Sequence, residues 1–325
     1  MHIDSSLVLD RDEARIEKLD RLFIDASLAQ VHPLIRSWGA VATEAELREA
    51  QREAIRALVD EGGARVARAS RAFHLPPRNV SRLIEFEGHR LIATLDVQNG
   101  AQGRPFICLF RSTIPPGTIS DWSRLKRRLL HRFAAFEPRA VLFFHPSHLP
   151  LIAETAGIDD HLLAAPAREI AGMPKAVGSE RVILKRSNGL AFYPRYKAVY
   201  EATYVERPGL RGEVRTETES SLAYCLRHGF LFEIFVDGKW AGVVAAKWRT
   251  LVGIRGVFMV EIVLAGDVRG QRLGPAVHQL FAEAVAQAEP DAVIIGTIAA
   301  KNPWSLKAAL RAGRIEIGAW HWVEL

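Results

Sequence analysis

The stretch Val260-Glu261-Ile262-Val263-Leu264-Ala265-Gly266-Asp267-Val268-Arg269-Gly270-Gln271-Arg272-Leu273-Gly274-Pro275-Ala276 places a strand pattern directly before a basic, glycine-containing loop. Pro275 suits the first turn of the helix that follows. Amides at a helix start lack intrahelical acceptors and sit at the positive end of the dipole, so they attract anions. Glycines let an anion approach the backbone closely, and Arg269 and Arg272 add charge. The chemistry implied is diphosphate binding. The same residues also read as a strand-to-helix turn with surface arginines. No Gly-Lys-Ser/Thr follows, which excludes a Walker A loop.

This loop resembles the cofactor loop of the GNAT family of N-acyltransferases, Gln/Arg-x-x-Gly-x-Gly/Ala. Arg269, Gly270, Gln271, Arg272, Leu273 and Gly274 take those places, with Arg272 where the family has its middle glycine. The family's downstream signature is an Asn opening a helix, a small residue three later, Tyr seven later, and Gly-Phe at eleven and twelve. Here it reads Asn302, Ser305, Ala309, Gly313 and Arg314: the spacing holds (313 − 302 = 11), but Tyr becomes Ala309 and Phe becomes Arg314. The resemblance implies an α+β fold with a mixed, mostly antiparallel sheet flanked by helices. It also implies acetyl-CoA or another acyl-CoA as donor and no metal. The diphosphate would lie on the amides of Gln271–Gly274 and the pantetheine arm along Leu264, Ala265 and Gly266. Asn302, with Ser305, would stand near the thioester. The acyl group would pass directly to a primary amine on a small molecule or peptide. Two alternatives stay open: an aminoacyl-tRNA or acyl-carrier-protein donor, and a non-catalytic acyl-CoA-binding module.

Direct transfer needs a neutral amine, hence a base. Strand alternation sets Glu261 with Val263 and Ala265 on the face opposite Ile262 and Leu264. If Ile262 and Leu264 face the core, Glu261 faces the acceptor cleft. Glu233 is a second candidate, and either carboxylate also reads as an edge or ion-paired residue. In relatives the tyrosine protonates the departing thiolate, which Ala309 cannot do. A tyrosine among Tyr193, Tyr196, Tyr200 and Tyr204 would replace it, Tyr196 being the candidate. Otherwise the thiolate leaves unassisted, a free thiol having a pKa of ~8.5. The same four tyrosines also read as the packing stripe of a helix.

The elements that must position these groups are legible around them. Val182–Arg186 reads as a strand, Tyr193–Val205 and Thr216–Arg227 as helices, the latter opened by a Thr216/Glu219 capping box. Leu231–Val236 and Trp240–Trp248 flank Asp237-Gly238, a hairpin turn. Gly256–Leu264, Asp291–Ile298 and Ile315–Val323 are strands; Pro275–Ala288 and Pro303–Ala312 are helices. The last strand would pair within the sheet or at a dimer edge, so monomer and homodimer both stay open.

The first half repeats this order. Ile16–Ala26 and a helix capped by Thr43/Glu46 precede the hairpin Leu83–Glu87/Leu91–Val97, the strand Pro105–Arg111, the amphipathic helix Asp121–Phe136 and the strand Val141–Phe144. A short helix then closes at Gly157, and Pro146 to Gly157 again spans eleven (157 − 146 = 11). The loop after Arg111 has Pro115 and Pro116 in place of basic glycines, so no cofactor is expected there. Residues 159–178 hold Pro166, Gly172, Pro174 and Gly178 and read as a linker. The expected division is thus residues 1–165, a degenerate GNAT-like copy, and 178–325, the acyltransferase.

At 325 residues, 49% hydrophobic and 25% charged, the chain suits two globular units. No apolar run of membrane-spanning length and no signal-peptide stretch occur, and two cysteines form no disulfide framework; a cytoplasmic protein without membrane contact is expected. The net charge of +6 suits anionic ligands. Arg124, Lys126, Arg127, Arg128 and Arg132 form a solvated helix face or a dock for tRNA or carrier protein. Eleven histidines show no metal spacing, and Cys225 reads as core.

Overall fold

A computed structural model describes residues 13–59, 64–74, 80–97, 104–114, 122–151 and 155–325. Among the described residues, eleven strands form one sheet in the order β1-β2-β3-β4-β11-β5-β10-β9-β8-β7-β6. The first half supplies α1 (Glu13–Ala29), α2 (Pro33–Ser37), α3 (Glu44–Val59), α4 (Ala64–Phe73), the hairpin β1 (Ser81–Phe86)/β2 (His89–Val97), β3 (Pro105–Ser112), α5 (Trp122–Phe133) and β4 (Ala140–Pro146). β5 (Gly157–Pro166) and α6 (Ala167–Ala171) lead into the second half. There β6 (Val182–Arg186), α7 (Tyr193–Glu206), α8 (Glu219–Arg227), β7 (Leu231–Val236), β8 (Lys239–Leu251), β9 (Ile254–Leu264), α9 (Gly274–Ala288), β10 (Val293–Ala299), α10 (Pro303–Arg311) and β11 (Ile315–Glu324) follow. All neighbours are antiparallel except β3/β4 and β9/β10, the α+β architecture expected.

Local sequence explains most elements. Thr43 and Glu46 form the expected reciprocal cap: the Thr43 amide donates to Glu46 (2.9 Å) and the Glu46 amide to Thr43 Oγ1 (3.3 Å). Asp237 and Gly238 both take positive φ (49° and 78°), as a tight hairpin turn requires. α5 buries Trp122, Leu125, Leu129 and Phe133, while Arg124 on its outer side pairs with Glu87 at 2.5 Å. α9 buries Val277, Phe281 and Val285 against Val257, Met259 and Ile294 of the sheet. Phe258 and Ile295, on the opposite face, pack on Val31 and Ile35 around α2.

Three expectations need correction. α8 starts at Glu219 and is capped by Thr218, whose hydroxyl accepts from the Ser221 amide at 3.2 Å, so Thr216 is no cap. Residues 159–178 are not a bare linker, because β5 and α6 occupy most of them. Gly157 opens β5 and ends no helix; residues 152–154, part of that expected helix, lie outside the described residues, as do Pro115 and Pro116.

The two halves exchange strands. In each, a parallel pair is registered at only two positions: Ile107↔Val141 and Cys108↔Leu142 in the first, Val257↔Ile294 and Phe258↔Ile295 in the second. β5, which follows β4 in the chain, pairs with β10 (Leu163↔Gly296). β11, which follows β10, pairs with β4 (Trp320↔Phe144). β5 and β11 pair with each other at the centre, so β11 lies inside the sheet with a partner on both sides.

Candidate functional site

The site is built on a stripe and a bulge. Tyr193, Tyr196, Tyr200 and Tyr204 are three or four residues apart, so they share one face of α7. Their rings contact in series at centroid distances of 5.7, 5.3 and 5.8 Å. That face lies on Val243 and Ala245 of β8, with Tyr196 and Tyr200 buried. On β9 the pairing jumps from Ala246↔Met259 to Ala245↔Glu261, leaving Val260 as an extra residue. Such a bulge re-aims the side chains beyond it. Ile262 and Leu264 join the core under α9, and Glu261 faces α7, as alternation requires.

Glu261 is 5% exposed and receives two phenols. Tyr196 donates to its Oε2, and Tyr200 donates to both oxygens at 3.0 and 2.9 Å. The Tyr196 oxygen in turn accepts the Glu217 amide at 2.7 Å, which fixes the phenolic proton toward Glu261. Burial raises the Glu261 carboxyl to about 7; the two phenols, by favouring the ionised form, pull the other way. Tyr196 and Tyr200 are raised too, by burial and then by the Glu261 charge, so both remain protonated donors. The group can take up or release a proton near neutral pH while held in one orientation.

Beside it the sheet opens. Beyond Phe258 and Ile295 the β9/β10 pairing ends, while β9 continues to Leu264 and β10 to Ala299. The result is a wedge whose β9 wall carries main-chain groups suited to an extended, amide-containing chain. At the far end of this wall the chain enters the loop. Ala265 donates to the Ala241 carbonyl at 2.7 Å, a single turn spans Gly266–Val268, and α9 begins at Gly274. The Leu273 carbonyl is the first of α9 and accepts from the Val277 amide, so the amides of Leu273 and Gly274 precede the helical ladder. Arg272 takes φ 63°, in the left-handed region that favours glycine, at an expected cost of ~1 kcal/mol. Gln271 is braced: its side chain donates to Asp267 (2.9 Å) and accepts from Arg181 (2.9 Å), which also pairs with Asp237 of the hairpin turn at 2.7 Å. A Cβ on Gly274 would stand 2.9 Å from the Ala308 methyl, so α9 and α10 meet closely here because glycine lacks one. An anion fits this helix start, and an arm leaving it fits the wedge.

Other expected residues take different positions. Arg269 does not extend over the loop. It donates to the Leu264 carbonyl (2.7 Å), to Thr203 and to Glu206 (3.3 Å), tying the loop to the end of α7. Gly266 lies against the same Glu206. Asn302 caps α10, its Oδ1 accepting the Ser305 amide at 3.3 Å. Ala309 is fully buried. Arg314 is 2% exposed and donates to the Leu163 and Gly296 carbonyls at 2.9 and 3.1 Å, joining β5 to β10. Glu233 is not brought to Glu261: it lies two strands away and two residues along, accepting from Ser187 at 3.3 Å.

Sequence reasoning missed Tyr200 and Glu217 as partners of the candidate base. The helical spacing of the tyrosines was the available signal for the first; the second comes from a loop and had none. It also missed the counterpart of Glu261 in the first half. There β2/β3 jumps from Ala93↔Leu109 to Ile92↔Arg111, a bulge at the same place relative to the parallel pair (261 − 257 = 111 − 107 = 4). Arg111 therefore stands where the second half has its carboxylate. Among the described residues no group of His, Cys, Asp and Glu side chains could hold a metal, and no helix is long and apolar enough to cross a membrane.

No protein-family model matches the chain, and no curated protein resembles it in sequence. Solved structures resemble it in fold. An acetyltransferase of the GNAT family from Colwellia psychrerythraea is 10% identical, with a TM-score of 0.48 over 88% of this chain and 98% of that one. A tandem GNAT protein from the clavulanic acid biosynthesis pathway is 13% identical, with a TM-score of 0.45 over 75% and 82% of the two chains. A GCN5-related N-acetyltransferase from Kribbella flavida is 13% identical, with a TM-score of 0.43 over 81% and 96%.

Proposed function

We propose that the second half is an N-acyltransferase that passes an acyl group from an acyl-CoA donor directly to a primary amine. The observation that carries this reading is Glu261, a buried carboxyl with pKa about 7, held by two phenols at the bulge from which β9 parts from β10. When bound, the donor supplies an activated thioester carbon. The amides of Gln271–Gly274 hold its diphosphate, and the β9 wall from Glu261 to Ala265 lines its arm. Glu261, ionised, takes a proton from the incoming ammonium so that the amine lone pair is free to attack. Tyr196 and Tyr200 keep the carboxylate oriented as its charge changes. Nitrogen–carbon bond formation is matched by carbon–sulfur cleavage: the thiolate leaves with the bonding electrons, and the nitrogen sheds its remaining extra proton to water. Ala309 donates no proton, which fits a leaving group stable as the anion.

The test is titration of the purified chain with acetyl-CoA, followed by thiol release with pooled primary amines. Micromolar binding with amine-dependent thiol release is expected. Binding without release under any amine favours the acyl-CoA-binding module that Ala309 suggests. Absence of binding overturns the reading and moves the donor to aminoacyl-tRNA or acyl-carrier protein.

A further inference from the structure

The face of β8 that carries Ala245 beside Glu261 continues with Lys247 and Arg249. At about 3.4 Å per residue these lie roughly 7 and 14 Å along the strand from the Glu261 row. Both side chains are on the α7/α8 side. The Lys247 ammonium sits 5.9 Å from the Tyr224 ring of α8, and the Arg249 guanidinium lies 4.8 Å over Phe258. Among the described residues neither makes a hydrogen bond or an ion pair, whereas most other arginines around the site do. They lie between the segment before α8, which carries Glu217, and α3, which is fixed to the β8/β9 hairpin by Arg255–Glu46 (2.6 Å) and by the Ala42 amide on Gly253 (3.0 Å).

Lys247 and Arg249 lie beyond the Glu261 row on this face, and the Arg111 guanidinium of the first half is close enough to oppose that of Arg249. Glu53 of α3 and Glu217 both favour the charge on Arg249 without forming an ion pair with it. Arg249 keeps exposed surface, although partial burial lowers its pKa.

We infer that the acceptor is a zwitterion, an amine bearing an acidic group of the carboxylate or phosphate type, whose amine is held at Glu261 and whose acidic group is read by Arg249 and Lys247. This rests on the acyltransferase reading. The span fits a short peptide: three extended residues reach roughly 10 Å from amine to carboxylate. Arg249, stacked on Phe258, is the specificity-determining residue, and Lys247 serves shorter acceptors.

The test compares a tripeptide acid with its C-terminal amide, using acetyl-CoA and the full chain, for the wild type, Arg249→Gln and Lys247→Gln. Loss of one charge-assisted contact is expected to lower kcat/KM for the acid about 10- to 100-fold in Arg249→Gln, with the amide and the KM for acetyl-CoA unchanged. Equal loss for acid and amide, or no loss for the acid, would overturn the proposal. Calorimetric titration of the tripeptide acid onto each protein separates the two readings. If no amine releases thiol, the acyltransferase reading fails, and the subsite still stands or falls on whether Arg249→Gln weakens binding of the acid. Unchanged thermal unfolding of Arg249→Gln is the control against misfolding.

Discussion

Replacing Glu261 by glutamine perturbs two quantities that the same geometry links. The carboxyl has an ordinary value of 4.5 and is raised to about 7 in the fold. As a base it is about half ionised at pH 7, so kcat/KM for a neutral-at-its-site amine should fall roughly tenfold per unit below pH 7 and level off above it. Glu261→Gln should remove that limb and lower the plateau by about 10²- to 10⁴-fold. The stability effect runs the other way. The folded state holds the proton more tightly than the unfolded state, so stability is greatest below 4.5, is lost as pH rises to 7, and stays at the reduced level above it. With about 2.5 units of difference this amounts to roughly 3 kcal/mol as an upper bound. The substituted amide carries no such charge and its carbonyl still accepts from a phenol, so the variant should unfold at higher urea than the wild type at pH 8 and match it near pH 4.5. Tyr200→Phe removes a donor that favours the ionised form and should move the acid limb upward by about one unit. A rate profile flat between pH 6 and 8, or Glu261→Gln within a few-fold of wild type, would refute the role.

Three further outcomes are expected. Gly274→Glu puts a side chain and a negative charge where only 2.9 Å separates a Cβ from Ala308, and should abolish acetyl-CoA binding in calorimetry with the far-UV spectrum preserved. His278, buried and beside Arg314, is lowered from 6.5 to about 3, so its contribution to stability is complete above 6.5 and lost as pH falls toward 3; His278→Gln should flatten the pH dependence of denaturant midpoints, by roughly 2 kcal/mol at pH 5. Gly242, at φ 153° opposite Leu264, would bring a Cβ to 2.0 Å from the Val263 carbonyl, so Gly242→Ala should cost about 2–4 kcal/mol in urea unfolding and displace the wall that lines the wedge.

Features that residues decide with their close neighbours were legible. The Thr43/Glu46 cap, the Asp237-Gly238 turn, and the buried faces of α5 and α9 follow from spacing alone. The direction of Glu261 followed from alternation, yet its environment did not: Tyr196 lies 65 residues away in sequence, and the bulge at Val260 has no local signature. β5 was read as a linker because its last five residues are buried on both faces and so show no alternation, while Gly157 and Pro166 at its ends look like loop residues. Arg269 carries a motif position and a positive charge, which suggested an anion ligand; its actual acceptors are the Leu264 carbonyl and, from α7, Thr203 and Glu206. Pairing between distant segments is the quantity a period in the sequence does not encode.

The exchange of β5 and β11 has a consequence for ancestry and for change. The arrangement is the one that two single-unit chains would form by trading their last strands as a dimer. With Arg111 where the second half has Glu261, the first half lacks a carboxylate at that bulge. Its β5 nevertheless forms one bank of β10, beside the wedge between β9 and β10. Substitutions in Gly157–Pro166 would therefore be felt in the other half. A gene cut between the halves would yield two sheets, each lacking the strand that its former partner still carries.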